Sequence, residues 1–167
     1  RVLAIETLER LGHVASASVS VLATCTQDES ERIRFRAIAA IASVSPDDAA
    51  TVRLLRRALH DKAGNVKYTA VYHLGNLGPK AAGAVPELIP LLDSSDLRSH
   101  WDTADMGGWI SLRPDVAKAL GQIGLASMAA LPKLERLLRD EDWRLRNAAA
   151  FAHCCISGER TPGLDIL

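Results

Sequence analysis

Residues 66–94 read VKYTAVYHLGNLGPKAAGAVPELIPLLDS, and the punctuation of this stretch decides the fold. Val66, Ala70, Leu74 and Leu77 recur at helical spacing, so the first part is predicted to form an amphipathic helix. Gly78-Pro79 ends it, because glycine accepts a left-handed C-terminal cap and proline cannot continue the hydrogen-bond ladder. A second helix is predicted from Val85-Pro86, turning Leu88, Leu91 and Leu92 inward. Pro86 suits a first helical turn, whereas Pro90 is expected to loosen the helix one turn later. A single hairpin of this kind cannot bury both of its apolar faces. It requires copies stacked on either side.

The copies are present. Leu74-Gly75-Asn76-Leu77-Gly78 matches Leu120-Gly121-Gln122-Ile123-Gly124 closely. Ile41-Ala42-Ser43-Val44-Ser45 and Leu11-Gly12-His13-Val14-Ala15 match more loosely, and His153-Cys154-Cys155-Ile156-Ser157 is a degenerate fifth copy. The steps between copies are 30, 33, 46 and 33 residues. A second landmark keeps the same register: Asp28 precedes Arg34, Asp61 precedes Lys67, and Asp140 precedes Arg146, always by six residues. Each base follows the first inward residue of its helix, Ile33, Val66 or Leu145. Helices are thereby predicted over 2–14, 16–26, 31–44, 47–60, 65–77, 84–93, 112–124, 127–139 and 143–156. One domain over 1–167 is expected, and the truncated copies at both ends predict a section of a longer array.

Composition agrees with stacked helices and narrows the function. The chain is 48% hydrophobic but only 4% aromatic, which favours helix over sheet. Twenty Lys and Arg balance twenty Asp and Glu, so no net field recruits nucleic acid or an acidic membrane. No apolar run approaches the roughly 20 residues of a membrane span. Cys25, Cys154 and Cys155 lack metal-ligand spacing and are expected as reduced thiols. These features suit a soluble, cytoplasmic protein.

The segments VKYTAVYHLGNLGPKAAGAVPELIPLLD and DVAKALGQIGLASMAALPKLERLLRDEDWRLRNAAA resemble HEAT-like repeats, particularly the short variety first noted in phycobilisome lyases. The resemblance covers nearly the whole chain and is specific for fold rather than function. Ankyrin and tetratricopeptide arrays share a similar period, but their T-P-L-H and W-x₂-L-G-x₂-Y signatures are absent. The resemblance implies an all-α, right-handed α-α superhelix (α-solenoid) of four to five HEAT-like hairpins. It also implies that the helix after each Asp turn lines the concave side. Asp28, Asp61, Asp140, Arg34, Lys67 and Arg146 would then form a structural ladder between neighbouring repeats, with Asp61 near Lys67 and near the next repeat.

The repeat breaks once. Where other repeats have a short turn, residues 95–111, SDLRSHWDTADMGGWIS, form an insertion within repeat three, with Ser94 in place of the ladder acid. Leu97, Trp101 and Ala104 suit a short amphipathic helix capped by Ser94 or Ser95 and stopped at Gly107-Gly108. Insertions in repeat arrays fall on one face, often the binding face. Trp101 and Trp109 are therefore either contacts for a partner or plugs against the solenoid. The acidic residues of the insertion, Asp105 among them, would favour a basic partner.

Aromatic placement points to the same layer. All seven aromatic residues lie in the insertion or on helices that follow an Asp turn. Phe35 and Tyr68 sit two residues past the first inward position of their helices, and Tyr72 and Phe151 sit six past theirs. These positions share a helix face, and Lys118 falls in register with them. Phe35, Tyr68, Tyr72, Trp101, Asp105, Trp109, Lys118 and Phe151 are the candidate partner-binding residues, since aromatic and basic side chains anchor interfaces.

Catalytic constellations are missing. HEAT-like deoxyhypusine hydroxylases hold iron with His-Glu pairs, but none of His13, His60, His73, His100 or His153 precedes a Glu. HEAT-like alkylpurine DNA glycosylases use Trp, Asp and Arg, types offered by Trp101, Trp109, Trp143, Asp102 and Asp105. Zero net charge and no continuous basic stripe argue against DNA. No phosphate-binding glycine loop, nucleophile elbow or calcium loop occurs. No metal, cofactor or catalytic residue is expected, and neither membrane nor nucleic acid is the expected partner. The sequence predicts a protein–protein interaction scaffold; a lyase-like enzyme or chaperone handling a tetrapyrrole is the alternative, and a DNA glycosylase the second.

Overall fold

Helix boundaries follow the glycine and proline punctuation. A computed structural model of the chain describes residues 5, 7, 18–46, 49–94, 98–100 and 109–158. In chain order its helices are α1 (Val19–Cys25), α2 (Glu31–Val44), α3 (Ala49–Ala58), α4 (Gly64–Asn76), α5 (Val85–Leu91), α6 (Arg113–Ile123), α7 (Leu131–Leu137) and α8 (Trp143–Ser157). The all-α repeat architecture expected from the sequence is the one adopted. Of the helix predicted over 2–14, only Ile5 and Thr7 are described. Gly78, Gly124 and Gly158 have φ of 56°, 77° and 71°, so each ends a helical stretch in a conformation that glycine adopts without steric cost.

Residues 78–83 and 125–126, which fall between predicted helices, are themselves helical. Gly78–Ala84 and Gly124–Ala130 form 3₁₀ turns that lead into α5 and α7. Their i→i+3 bonds eclipse side chains, which the small residues of both segments tolerate. Consequently α7 begins at Leu131, ahead of Pro132, rather than at 127. Pro90 lies inside α5, which stops one residue later.

The chain divides into two compact units, Arg1–His73 with Arg98–Ile110 and Leu74–Leu97 with Ser111–Leu167. In the first unit α1 packs on α2 and α2 on α3. Leu22, Ala40, Ile41 and Val44 are buried together with Ile5, and Val19, Ile33 and Leu54 close over them. Each such large side chain contributes about 1.5–3 kcal/mol when fully buried. In the second unit α6 runs along α8, while α5 and α7 flank the pair. Leu112, Val116, Leu120 and Ile123 of this unit are buried, as are Leu145, Ala149, Ala152 and Ile156. The two helices approach most closely at Gly121, where an added Cβ would stand 2.7 Å from Ala152 Cα. Gly75 makes a similar notch, its Cβ position lying 3.1 Å from Ala119 Cα.

The insertion departs from the expectation. Arg98–His100 form a strand, β1, paired with β2 (Trp109–Ser111), in place of the amphipathic helix expected through these residues. A helix of two turns must meet a nucleation cost with few hydrogen bonds, whereas Trp109-Ile110-Ser111 offers a strand-favouring partner. Leu97, Trp101, Ala104 and Asp105 lie outside the described residues.

Candidate functional site

The faces that α2, α4, α6 and α8 turn outward are set by ion pairs at their N-terminal ends. In the first unit Arg34 donates from Nε and Nη2 to the two carboxylate oxygens of Asp61, at 2.8 and 2.9 Å. Its Nη1 donates to the carbonyls of Asp28 and Glu29, both at 3.0 Å. Burial opposes ionisation of Asp61, but hydrogen bonds from Arg34 and from the Ala63 N–H overcome it and hold the carboxyl below its usual range. The hydrogen bond to Asp61 raises the Arg34 pKa further, so this guanidinium stays charged.

Asp61 therefore pairs with the base of the preceding repeat, not with Lys67 as the shared spacing suggested. Its Oδ1 also accepts the Ala63 N–H at 2.8 Å, which orients the carboxylate at the turn before α4. The second unit repeats the scheme. Arg146 Nη1 donates to the carbonyls of Asp140 and Glu141, both at 2.9 Å. Arg113 Nη2 donates to Asp140 Oδ2 at 3.1 Å, and its Nε reaches back to the Leu92 carbonyl at 2.7 Å. Arg113 thus holds the ladder place that the insertion seemed to vacate. The signal was available: Arg113 follows Leu112 as Lys67 follows Val66 and Arg146 follows Leu145. Asp93, beside the missing ladder acid, pairs with Lys133.

With those helices fixed, α4 brings Tyr68 and Tyr72 together, ring centroids 6.4 Å apart and planes 17° from parallel. Tyr72 is 52% exposed, and the His73 ring meets it edge-on at 5.2 Å. Burial lowers the His73 pKa, keeping that imidazole neutral at pH 7. Phe35 is half-buried on α2, with the Arg36 guanidinium 5.2 Å from its ring centroid. On α6 Lys118 is exposed. Phe151 on α8 is 45% exposed and lies over Gly121. Trp109 is placed in β2 by its backbone alone, and Trp101 and Asp105 fall outside the described residues. Sequence reading had left Trp143 and Arg144 aside as interface residues. Trp143 is 60% exposed, with the Arg144 guanidinium 5.8 Å from its ring centroid. A Trp-Arg pair where a helix N-terminus prefers acids was the available clue.

The first unit also contains a cavity of about 480 Å³ at the Asp-turn end. Ile38, Leu54, Ala58 and Val66 line it beside the Arg34–Asp61 pair, and Phe35, Tyr68, Tyr72 and Phe151 do not. Cys25, Cys154 and Cys155 are not joined in disulfides. Among the described residues no cluster of three or more His, Cys, Asp or Glu could hold a metal ion, and no helix is long and apolar enough to cross a membrane.

Comparison with known proteins agrees with this architecture. The HEAT-repeat family model matches residues 21–104 and 52–153. The chain belongs to the HEAT-repeat family. Among solved structures it is similar to the complex of CpcE and CpcF of phycocyanin lyase from Nostoc sp. PCC7120, with TM-score 0.70 and 25% identity. That match covers 94% of this chain and 60% of the other. An engineered protein matches with TM-score 0.65 and 22% identity over 85% of this chain and 63% of its own. This chain therefore spans less than two thirds of the length of both structures. No curated protein matched.

Proposed function

We propose that the chain is a protein–protein interaction scaffold, holding a partner segment against the helices that follow the Asp turns. HEAT repeats generally mediate protein interaction. The observation that carries this reading is the stacked Tyr68–Tyr72 pair with Tyr72 left 52% exposed. Stability does not require it, because Val66, Ala70 and Leu74 already fill the inward face of α4. Tyrosines presented in this way are the kind of amphipathic contact that interfaces use. The Trp-containing insertion, through Trp101, Asp105 and Trp109, is proposed to extend the same surface. Phe35, Lys118 and Phe151 are assigned to the same helix layer in their respective units.

The test combines Tyr68→Ala with Tyr72→Ala, and separately shortens residues 95–108 to a tight turn. Partners captured by the intact chain are identified by mass spectrometry, and both variants are compared against them. Retained helical signal with loss of capture is expected, each hot-spot tyrosine costing about 1–2 kcal/mol or more of binding. If shortening the loop unfolds the chain, the insertion is a structural plug and leaves the proposed surface. Likeness to the CpcE–CpcF complex supports a second reading, a lyase-like enzyme or chaperone for a tetrapyrrole. A visible absorption band shifted on mixing a linear tetrapyrrole with the purified chain would favour it.

A further inference from the structure

The helices that follow the Asp turns carry more bases than acids, although the whole chain is electrically balanced. Apart from the ladder residues Arg34, Arg113 and Arg146, the helices α2, α4, α6 and α8 carry Arg32, Arg36, Lys67, Lys118 and Arg144. Their only acids are Glu31 and Asp115. Glu31 accepts a hydrogen bond from Asn65 Nδ2 at 2.9 Å. Burial pushes the Asp115 carboxyl up toward its neutral form, with Lys118 opposing.

In the second unit the bases lie beside exposed aromatic residues. Trp143, Arg144, Asn147 and Phe151 are all exposed and fall along one stripe of α8. Lys118 is exposed on α6, the helix against which α8 packs. Helix α8 contains no acid, and two of the three acids before it, Asp140 and Asp142, are engaged. Asp140 binds Arg113 and the Asp142 N–H, and Asp142 caps the helix through the Arg144 N–H. Glu141 is exposed, but among the described residues no carboxylate forms an ion pair with Arg144 or Lys118. Arg144 is also set against its own helix, since a cation in the first turn meets the positive end of the macrodipole. The one contact that uses the charge of Arg144 among the described residues is with the Trp143 ring, and folding gains nothing from leaving Trp143 and Phe151 in water.

We propose that the α6–α8 face takes an acidic partner segment, its carboxylates meeting Arg144 and Lys118 and its apolar side chains covering Phe151 and Trp143. The inference rests on the interaction-scaffold reading and adds the chemistry of the partner. It is opposite in sign to the basic partner that the insertion alone suggests, and a single-stranded nucleic acid stacking on Trp143 is the competing occupant.

Three fluorescently labelled probes separate these on the full chain: a peptide of alternating Glu and Leu, its Lys-Leu counterpart, and oligo-dT. The Glu-Leu peptide is expected to bind most tightly and to weaken with salt. Arg144→Glu with Lys118→Glu is expected to weaken it by about tenfold or more. Arg144→Glu alone should hold or raise the Tm, because it places an acid at the helix N-terminus, so loss of binding cannot be ascribed to unfolding. Preference for the Lys-Leu peptide or for oligo-dT overturns the proposal. So does a Glu-Leu affinity untouched by the charge reversals, or no binding of any probe. The scaffold reading fails separately, if the Tyr68 and Tyr72 variants keep every captured partner.

Discussion

Asp61→Ala is expected to destabilise the protein by about 3–5 kcal/mol, because it leaves Arg34 buried without its counter-charge. The Arg34 and Asp61 side chains are only 5% and 14% exposed, so water entering from the neighbouring cavity replaces the lost carboxylate incompletely. Deprotonation offers no escape either, since guanidinium stays charged throughout the accessible pH range. Urea unfolding with an unchanged m-value reads the effect directly. The same pair sets an acid limb. Asp61 has a folded pKa below its unfolded one, so its contribution is complete above the ordinary carboxylate range and is lost as pH falls through the lowered folded value. Asp61→Ala should flatten that part of the stability–pH curve. Lys67→Ala, by contrast, leaves the Arg34–Asp61 pair intact and should change little. Equal losses in the two variants would show that the pair drawn by sequence spacing, not the observed one, holds the repeats.

Gly121→Leu is expected to cost at least about 1–3 kcal/mol through overpacking. Its Cβ would meet Ala152 Cα at 2.7 Å and Phe151 Cε1 at 3.2 Å, and a backbone atom cannot move aside as a side chain can. Gly75→Leu should act in the same direction but less, because the first atom in its way is the amide end of Gln122. Thermal unfolding of the two variants, compared with Ala82→Leu on the first 3₁₀ turn, separates notch-filling from added bulk alone. Were Gly121→Leu neutral, α6 and α8 would not meet where they are placed.

Features carried by apolar periodicity were legible in the sequence. Helices α2, α4 and α8 fall within about one residue of their predicted spans, because Gly78 and Gly158 supply left-handed stops and Asp142 supplies a cap. The 3₁₀ turns were not legible. Residues 78–83 and 125–126 read as breaks between helices, although Ala81 is buried within the first 3₁₀ turn. Ladder partners were half legible: spacing identified the acids and bases but linked each acid to the wrong neighbour in Asp61's case. Pairing across 27 residues depends on how hairpins stack, which local spacing does not encode. Within the candidate face, Tyr68 and Tyr72 come together as their four-residue separation requires. Trp143 and Arg144 were passed over because an exposed aromatic beside a cation leaves no periodic signature.

Arg113 donates to the carbonyl of Leu92, a residue 21 positions earlier in the chain. In the uninterrupted turns the equivalent arginines, Arg34 and Arg146, make the same kind of bond across five or six positions. The chain thus re-enters its stack through a hydrogen bond that is indifferent to how much sequence has been looped out before it. That makes the seam a splice junction. Segments of differing length grafted between Leu92 and Arg113 are expected to leave this hydrogen bond and the start of α6 in place, which an unchanged helical signal and Tm would check.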